Sequence, residues 1–148
     1  MTKTLARDIM TPNPRIVKVD DSVDRIARVL ADENIGAVVV CNDERRLQGM
    51  ITDRDLAIEV VAKDRDPHST RAAELVDGRE VVTIGADDSI DEAIDTMKAH
   101  AVRRLPVIDG TEVIGIVSQA DIARVAKDKQ VGRLVETISD APDNTGRG

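Results

Sequence analysis

At 148 residues the chain has room for one compact domain or two half-size units, and not for a separate catalytic domain beside them. Its 41% hydrophobic and 33% charged residues predict a folded core, while the lack of any Phe, Trp or Tyr and a net charge of −7 argue against nucleic-acid binding, which draws on aromatic stacking and positive charge. The single cysteine, Cys41, excludes an intrachain disulfide, and no apolar run reaches the roughly 18 residues of a membrane helix, so a cytoplasmic address with no membrane partner is expected.

Along the chain, Val17-Lys18-Val19 reads as a short strand and Asp20-Asp21-Ser22 as a helix start. Val23, Ile26, Ala27 and Leu30 then recur at helical spacing and predict one buried stripe. Residues 37–41 form a continuous β-rich run, and Asn42-Asp43 turns the chain into a second strand over residues 47–51. A helix follows over residues 56–62 that is apolar nearly all round, so one face needs a surface beyond its own sheet, in the other copy and in a second chain; this predicts a homodimer. Residues 63–70 are polar and carry Pro67, as suits an exposed linker.

The second half answers the first. Val82-Thr83-Ile84 matches the first strand, Asp87-Asp88-Ser89-Ile90-Asp91 the helix start, and Ile90, Ala93, Ile94 and Met97 the buried stripe. Residues 105–108 and 113–117, joined at Asp109-Gly110, repeat the hairpin. Each copy is therefore βαββα, with gaps in the match at Gly85-Ala86 and near Asp43. The division is a first repeat over residues 6–62, a linker over 63–71, a second repeat over 72–127, and a short amphipathic helix (131–138) with a frayed polar tail in 128–148.

Each hairpin closes on Gly, then a hydroxyl residue, then Asp three positions later: Gly49…Thr52…Asp55 and Gly115…Ser118…Asp121. Such a pattern at a strand-to-helix junction can cap the helix, the hydroxyl and the acid each satisfying a backbone donor. It can also bind: the carboxylate accepts from two sugar hydroxyls while the hydroxyl and free amides meet a phosphate. Recurrence at equivalent places favours binding. Arg103-Arg104 stands where the first copy has Gly36-Ala37, and two guanidinium groups there can pair with phosphates. Of the two histidines, His68 falls in the linker and His100 at a helix end; with one distant cysteine they give no metal spacing. The paired acids Asp20-Asp21 and Asp87-Asp88 are read as caps and dipole partners. No acid–base pair, nucleophile elbow or phosphate-binding loop is recognisable, so no enzyme activity and no required cofactor are expected.

Together, Ala6-Arg7-Asp8-Ile9-Met10-Thr11-Pro12, Val102-Arg103-Arg104-Leu105-Pro106-Val107 and the two Thr/Ser-x-x-Asp ends resemble a tandem pair of CBS domains, a Bateman module, over residues 6–127. Thr52-Asp53-Arg54-Asp55 and Ala120-Asp121-Ile122-Ala123-Arg124 make the chain similar to stand-alone actinobacterial CBS pairs of the hypoxic-response type. The resemblance implies an α+β fold of two pseudo-twofold repeats around a shared core, with ligand clefts between them. It also implies AMP, ADP, ATP or S-adenosylmethionine as ligand, helix-mediated dimers, and a regulatory role toward a separate protein partner, in stress or hypoxia. Thr52 and Asp55 would serve one cleft and Ser118 and Asp121 the other, as phosphate and ribose contacts. Gly36-Ala37 departs from the basic pattern of the second copy, so the two clefts should differ. The alternative is a ligand-independent dimeric scaffold in which the Thr/Ser-x-x-Asp pattern only caps.

Overall fold

The structure, a computed structural model, describes residues 4–125; the helix and tail expected beyond residue 128 lie outside the described residues. In chain order the elements are α1 (Ala6–Ile9), β1 (Thr11–Pro12), β2 (Ile16–Lys18), α2 (Val23–Glu33), β3 (Ala37–Cys41), β4 (Leu47–Thr52) and α3 (Asp53–Leu56), which runs into a π-helical turn at Ala57–Val61. There follow α4 (Ala72–Val76), β5 (Ile84–Gly85), α5 (Ile90–His100), β6 (Arg104–Asp109), β7 (Glu112–Ser118) and α6 (Gln119–Val125). The α+β class and the two βαββα copies are as expected. Among the described residues the elements gather into two compact units, one of residues 15–81 and one of residues 4–14 with 82–125.

In the first unit β2 runs parallel to β3, and β3 antiparallel to β4. The helix α2 makes the parallel crossover, because a parallel pair cannot be joined by a tight turn. Ser22 starts α2 by accepting from the Arg25 amide at 3.2 Å, and Asn34, in the left-handed region at φ 53°, ends it. In the second unit β5 and β6 are parallel, β6 and β7 antiparallel, and β1 adds to the free edge of β7. Here Ser89 caps α5 through the Glu92 amide at 3.2 Å. The helix caps are thus the serines. Asp21 and Asp88 instead accept from the Lys18 and Gly85 amides, each at 2.8 Å, and close the turn before each helix.

Most buried apolar side chains fall into two clusters, one in each unit. Each sheet covers the buried stripe of its own helix. On α5 all four expected residues, Ile90, Ala93, Ile94 and Met97, are buried; on α2 Val23, Ile26 and Leu30 are buried, but Ala27 is exposed. The helical spacing places Ala27 at the margin of the stripe, where a methyl group gains little from burial.

The cores are completed by an exchange between copies. The helix α4 precedes the second copy in sequence, yet Ala72, Leu75 and Val76 are buried in the first unit's core. Likewise α1 precedes the first copy, and Ala6 and Ile9 are buried in the core of the second. The two docks are alike: the Leu5 amide donates to Asp8 Oδ2 at 2.9 Å and the Arg71 amide to Glu74 Oε2 at 2.7 Å, while Leu5 bridges to Ser89 and Ser22 to Arg71. Amides of Ala6 and Arg7 donate to Asp88 O and Ala86 O at 2.8 and 3.0 Å; those of Ala72 and Ala73 donate to Asp21 O and Val19 O at 2.9 and 3.0 Å. Burial of Ile9 contributes about 1.5–3 kcal/mol, whereas the exposed Arg7–Asp87 pair is screened by water, so apolar contact and main-chain pairing hold α1. The linker is mostly exposed, but its end is fixed: Thr70 is buried and its hydroxyl donates to Asp66 O at 2.7 Å.

Candidate functional site

Each hairpin delivers its hydroxyl residue to the start of a helix. Thr52 is extended at φ −110°, its Oγ1 accepts from the Asp55 amide at 3.1 Å, and its own amide donates to Asp55 Oδ2 at 2.8 Å. The second copy repeats this: Ser118 Oγ accepts from the Asp121 amide at 3.1 Å, and the Ser118 amide donates to Asp121 Oδ2 at 2.9 Å. Both patterns are therefore reciprocal capping boxes.

Capping occupies only one oxygen of each carboxylate. Oδ1 of Asp55 lies 3.4 Å from Arg79 Nη1, and Oδ1 of Asp121 accepts from Arg124 Nη2. The Asp55 side chain is 16% exposed and that of Asp121 5%, so both carboxylates are largely out of water and each is balanced by a guanidinium. A carboxylate held on one oxygen by its backbone can offer the other to a ligand hydroxyl, with an arginine beside it to meet an anion.

The positions facing these pairs correspond between copies. Ala37 is the register partner of Thr52, and Arg104 of Ser118; the Asp53 amide donates to Gly36 O at 3.1 Å, and the Gln119 amide to Arg103 O at 2.9 Å. Directly opposed residues have Cβ atoms about 5 Å apart on one face. The second unit thus gathers Ser118, Asp121, Arg103 and Arg104; Thr52 and Asp55 belong to the first, without a basic residue across from Thr52. Arg103 and Arg104 are half-buried and each has a partner within the protein.

Sequence reading missed Arg79 and Arg124. The spacing of Asp121 and Arg124, three apart on one helix, was a usable signal. Arg79 is far from Asp55 in sequence and comes to it only through the docking of α4, so no local pattern announces it. Neither histidine joins these groups: His68 Nδ1 is 3.5 Å from Asp24 Oδ2 on an exposed surface, and His100 ends α5. Among the described residues no three His, Cys, Asp or Glu side chains are grouped to hold a metal ion, and no helix is long and apolar enough to cross a membrane.

Comparison with known proteins agrees with this architecture. The family model of the CBS domain matches twice, over residues 6–62 and 73–128. Hypoxic response protein 1 of Mycobacterium tuberculosis is 37% identical over 135 residues, covering 91% of this chain and 94% of its own. A crystal structure of Hypoxic Response Protein I with two coordinated zinc ions superposes with a TM-score of 0.75 at 39% identity, over 84% of this chain and 100% of that one. The CBS domain pair of protein MJ0100, solved in complex with 5′-methylthioadenosine and S-adenosyl-L-methionine, gives a TM-score of 0.72 at 27% identity, over 84% and 96%. Two matched repeats across most of the length, each folded as βαββα, show that this chain belongs to the CBS-domain family as a tandem pair.

Proposed function

We propose that this chain is a non-enzymatic regulatory CBS pair that binds an adenine nucleotide or adenosyl ligand at the strand-to-helix junctions. Thr52 and Asp55 contact it in the first unit, and Ser118, Asp121, Arg103 and Arg104 in the second. The observation that carries this reading is the division of labour in each aspartate: Oδ2 serves the backbone and Oδ1 serves a cation, in both copies. The adenosyl ligands of the MJ0100 pair, at 27% identity, support the ligand class. AMP, ADP, ATP and S-adenosylmethionine are the candidates, none of them needed for folding.

Binding acts by differential affinity for two arrangements of the module, which changes the surface offered to a separate protein partner. A homodimer in the cytoplasm, active in stress or hypoxia, completes the proposal; Ile58 and Val61, 44% and 76% exposed on the π-helical turn, are apolar surface that a second copy would cover. The rival reading, a ligand-independent dimeric scaffold, is favoured by one observation, that both capping boxes are complete.

A thermal-shift panel with AMP, ADP, ATP and S-adenosylmethionine separates the two, followed by dye or circular dichroism because the chain has no Trp or Tyr. A ligand at a hundred times its Kd should add about 2.7 kcal/mol of stability. Asp121→Ala should remove the response of the second unit. A loss of about 1 kcal/mol with the response intact would leave Asp121 only a capping role and favour the scaffold.

A further inference from the structure

We propose that Arg79 is the anion-recognising residue of the first unit, held ready on Asp55 and transferred to the 5′-phosphate of an adenine nucleotide when the ribose takes its place. This rests on the binding reading above and assigns its charge preference.

In the second unit Arg124 on α6 meets the carboxylate, and Arg103-Arg104 stand at the strand start across from Ser118 and Gln119. The matching positions of the first unit are Gly36, Ala37 and Ile58, all uncharged. Arg79 restores the charge from another element, the segment that follows α4, and its Nη1 lies 3.4 Å from Asp55 Oδ1. Counted from the start of the lead-in helix, the corresponding position of the second unit is Asn13, so this device belongs to the first unit. The Arg79 side chain is 38% exposed, which leaves the guanidinium wet enough to move, whereas the carboxylate it covers is only 16% exposed. Arg79 also lies near Glu59, whose carboxyl is held below its ordinary range chiefly by the hydrogen bond from Lys63 and only in small part by Arg79. The ion pair of Glu59 is made by Lys63 Nζ at 2.7 Å, which leaves the guanidinium uncommitted to that second acid.

The atom that Arg79 occupies is the oxygen a ribose hydroxyl would use, since Oδ2 is already bonded to the Thr52 amide. A nucleoside would displace the guanidinium and leave it without an anion. A nucleoside 5′-phosphate displaces it and supplies one, so charge pairing is kept on both sides. The sulfonium of S-adenosylmethionine would be repelled. The first unit thus selects 5′-phosphorylated adenosine even though its strand start carries no basic residue.

Calorimetric titration of the full chain with AMP and with adenosine tests this, in wild type, Asp55→Asn, Arg79→Gln and Arg79→Lys. The binding event weakened by Asp55→Asn is the first unit's. At that event Arg79→Gln should weaken AMP about tenfold, as expected for a lost charge-assisted hydrogen bond, and leave adenosine unchanged or tighter. Arg79→Lys should keep part of the AMP preference, since charge remains without the fork geometry. An AMP to adenosine ratio unaltered in Arg79→Gln overturns this role for Arg79 while leaving the binding function standing, as does AMP binding indifferent to Asp55→Asn. If AMP, ADP, ATP and S-adenosylmethionine all fail to bind the wild type, the binding function fails and this role falls with it.

Discussion

A hydroxyl residue with an aspartate three positions on serves its own backbone before it serves a guest, and the two demands fall on different atoms. Oγ of Ser118 and Oδ2 of Asp121 satisfy helix donors, leaving Oδ1 for a cation or a ligand. Ser118→Ala should therefore cost about 1 kcal/mol in urea unfolding, and Thr52→Ala about the same, whether or not any ligand binds. Cys41 carries a separate expectation. Burial on β3 pushes its thiol up, and the charge of Arg45 offsets only part of this. The folded protein then holds the thiol proton more tightly than the unfolded chain does. The stability this confers is fully present below the ordinary thiol value of about 8.5 and is lost as pH rises through the raised folded value. Urea midpoints should fall through the alkaline range in wild type, and fall less in Cys41→Val; equal slopes in the two proteins would show that another group is responsible.

At the scale of elements, the two long helices end differently although they begin alike. Asn34 terminates α2 and Ala101 terminates α5, both left-handed at φ 53°. Asparagine tolerates that region because its short polar side chain can bond locally, whereas alanine is strained there by its Cβ. Ala101→Gly should stabilise the protein by about 0.5–1 kcal/mol in thermal or urea unfolding, the reverse of what glycine does inside a helix. The lead-in helices give a second expectation. A Cβ on Gly115 would overlap Met10 Sδ and stand 2.9 Å from Thr11 O; on Gly49 it would stand 3.0 Å from Val76 Cγ1. The thioether can swing away but the Thr11 carbonyl cannot, because β1 is paired with β7. Gly115→Ala should cost about 1–3 kcal/mol and raise amide exchange selectively over residues 4–14.

At the scale of the whole molecule, the exchange of lead-in helices means that neither sequence half contains all of its own core. Fragments 1–70 and 71–148 each carry the helix that completes the other's unit. Expressed separately they should be poorly folded, and mixed together they should regain the helical circular dichroism of the intact chain; two autonomous halves would contradict the exchange. The sequence by itself determined what depends on local period and on chain neighbours: the duplication, the two hairpins, the α5 stripe, and the hydroxyl–aspartate boxes at residues 52–55 and 118–121. Hydrogen bonding and amphipathic spacing act over a few residues, so residue types alone reveal them. Tertiary structure decided which helix joins which core, that Ala27 stays exposed, and that Asp55 meets Arg79. These depend on apolar surface seeking cover anywhere in the chain, a force that has no direction and leaves no mark at a fixed spacing.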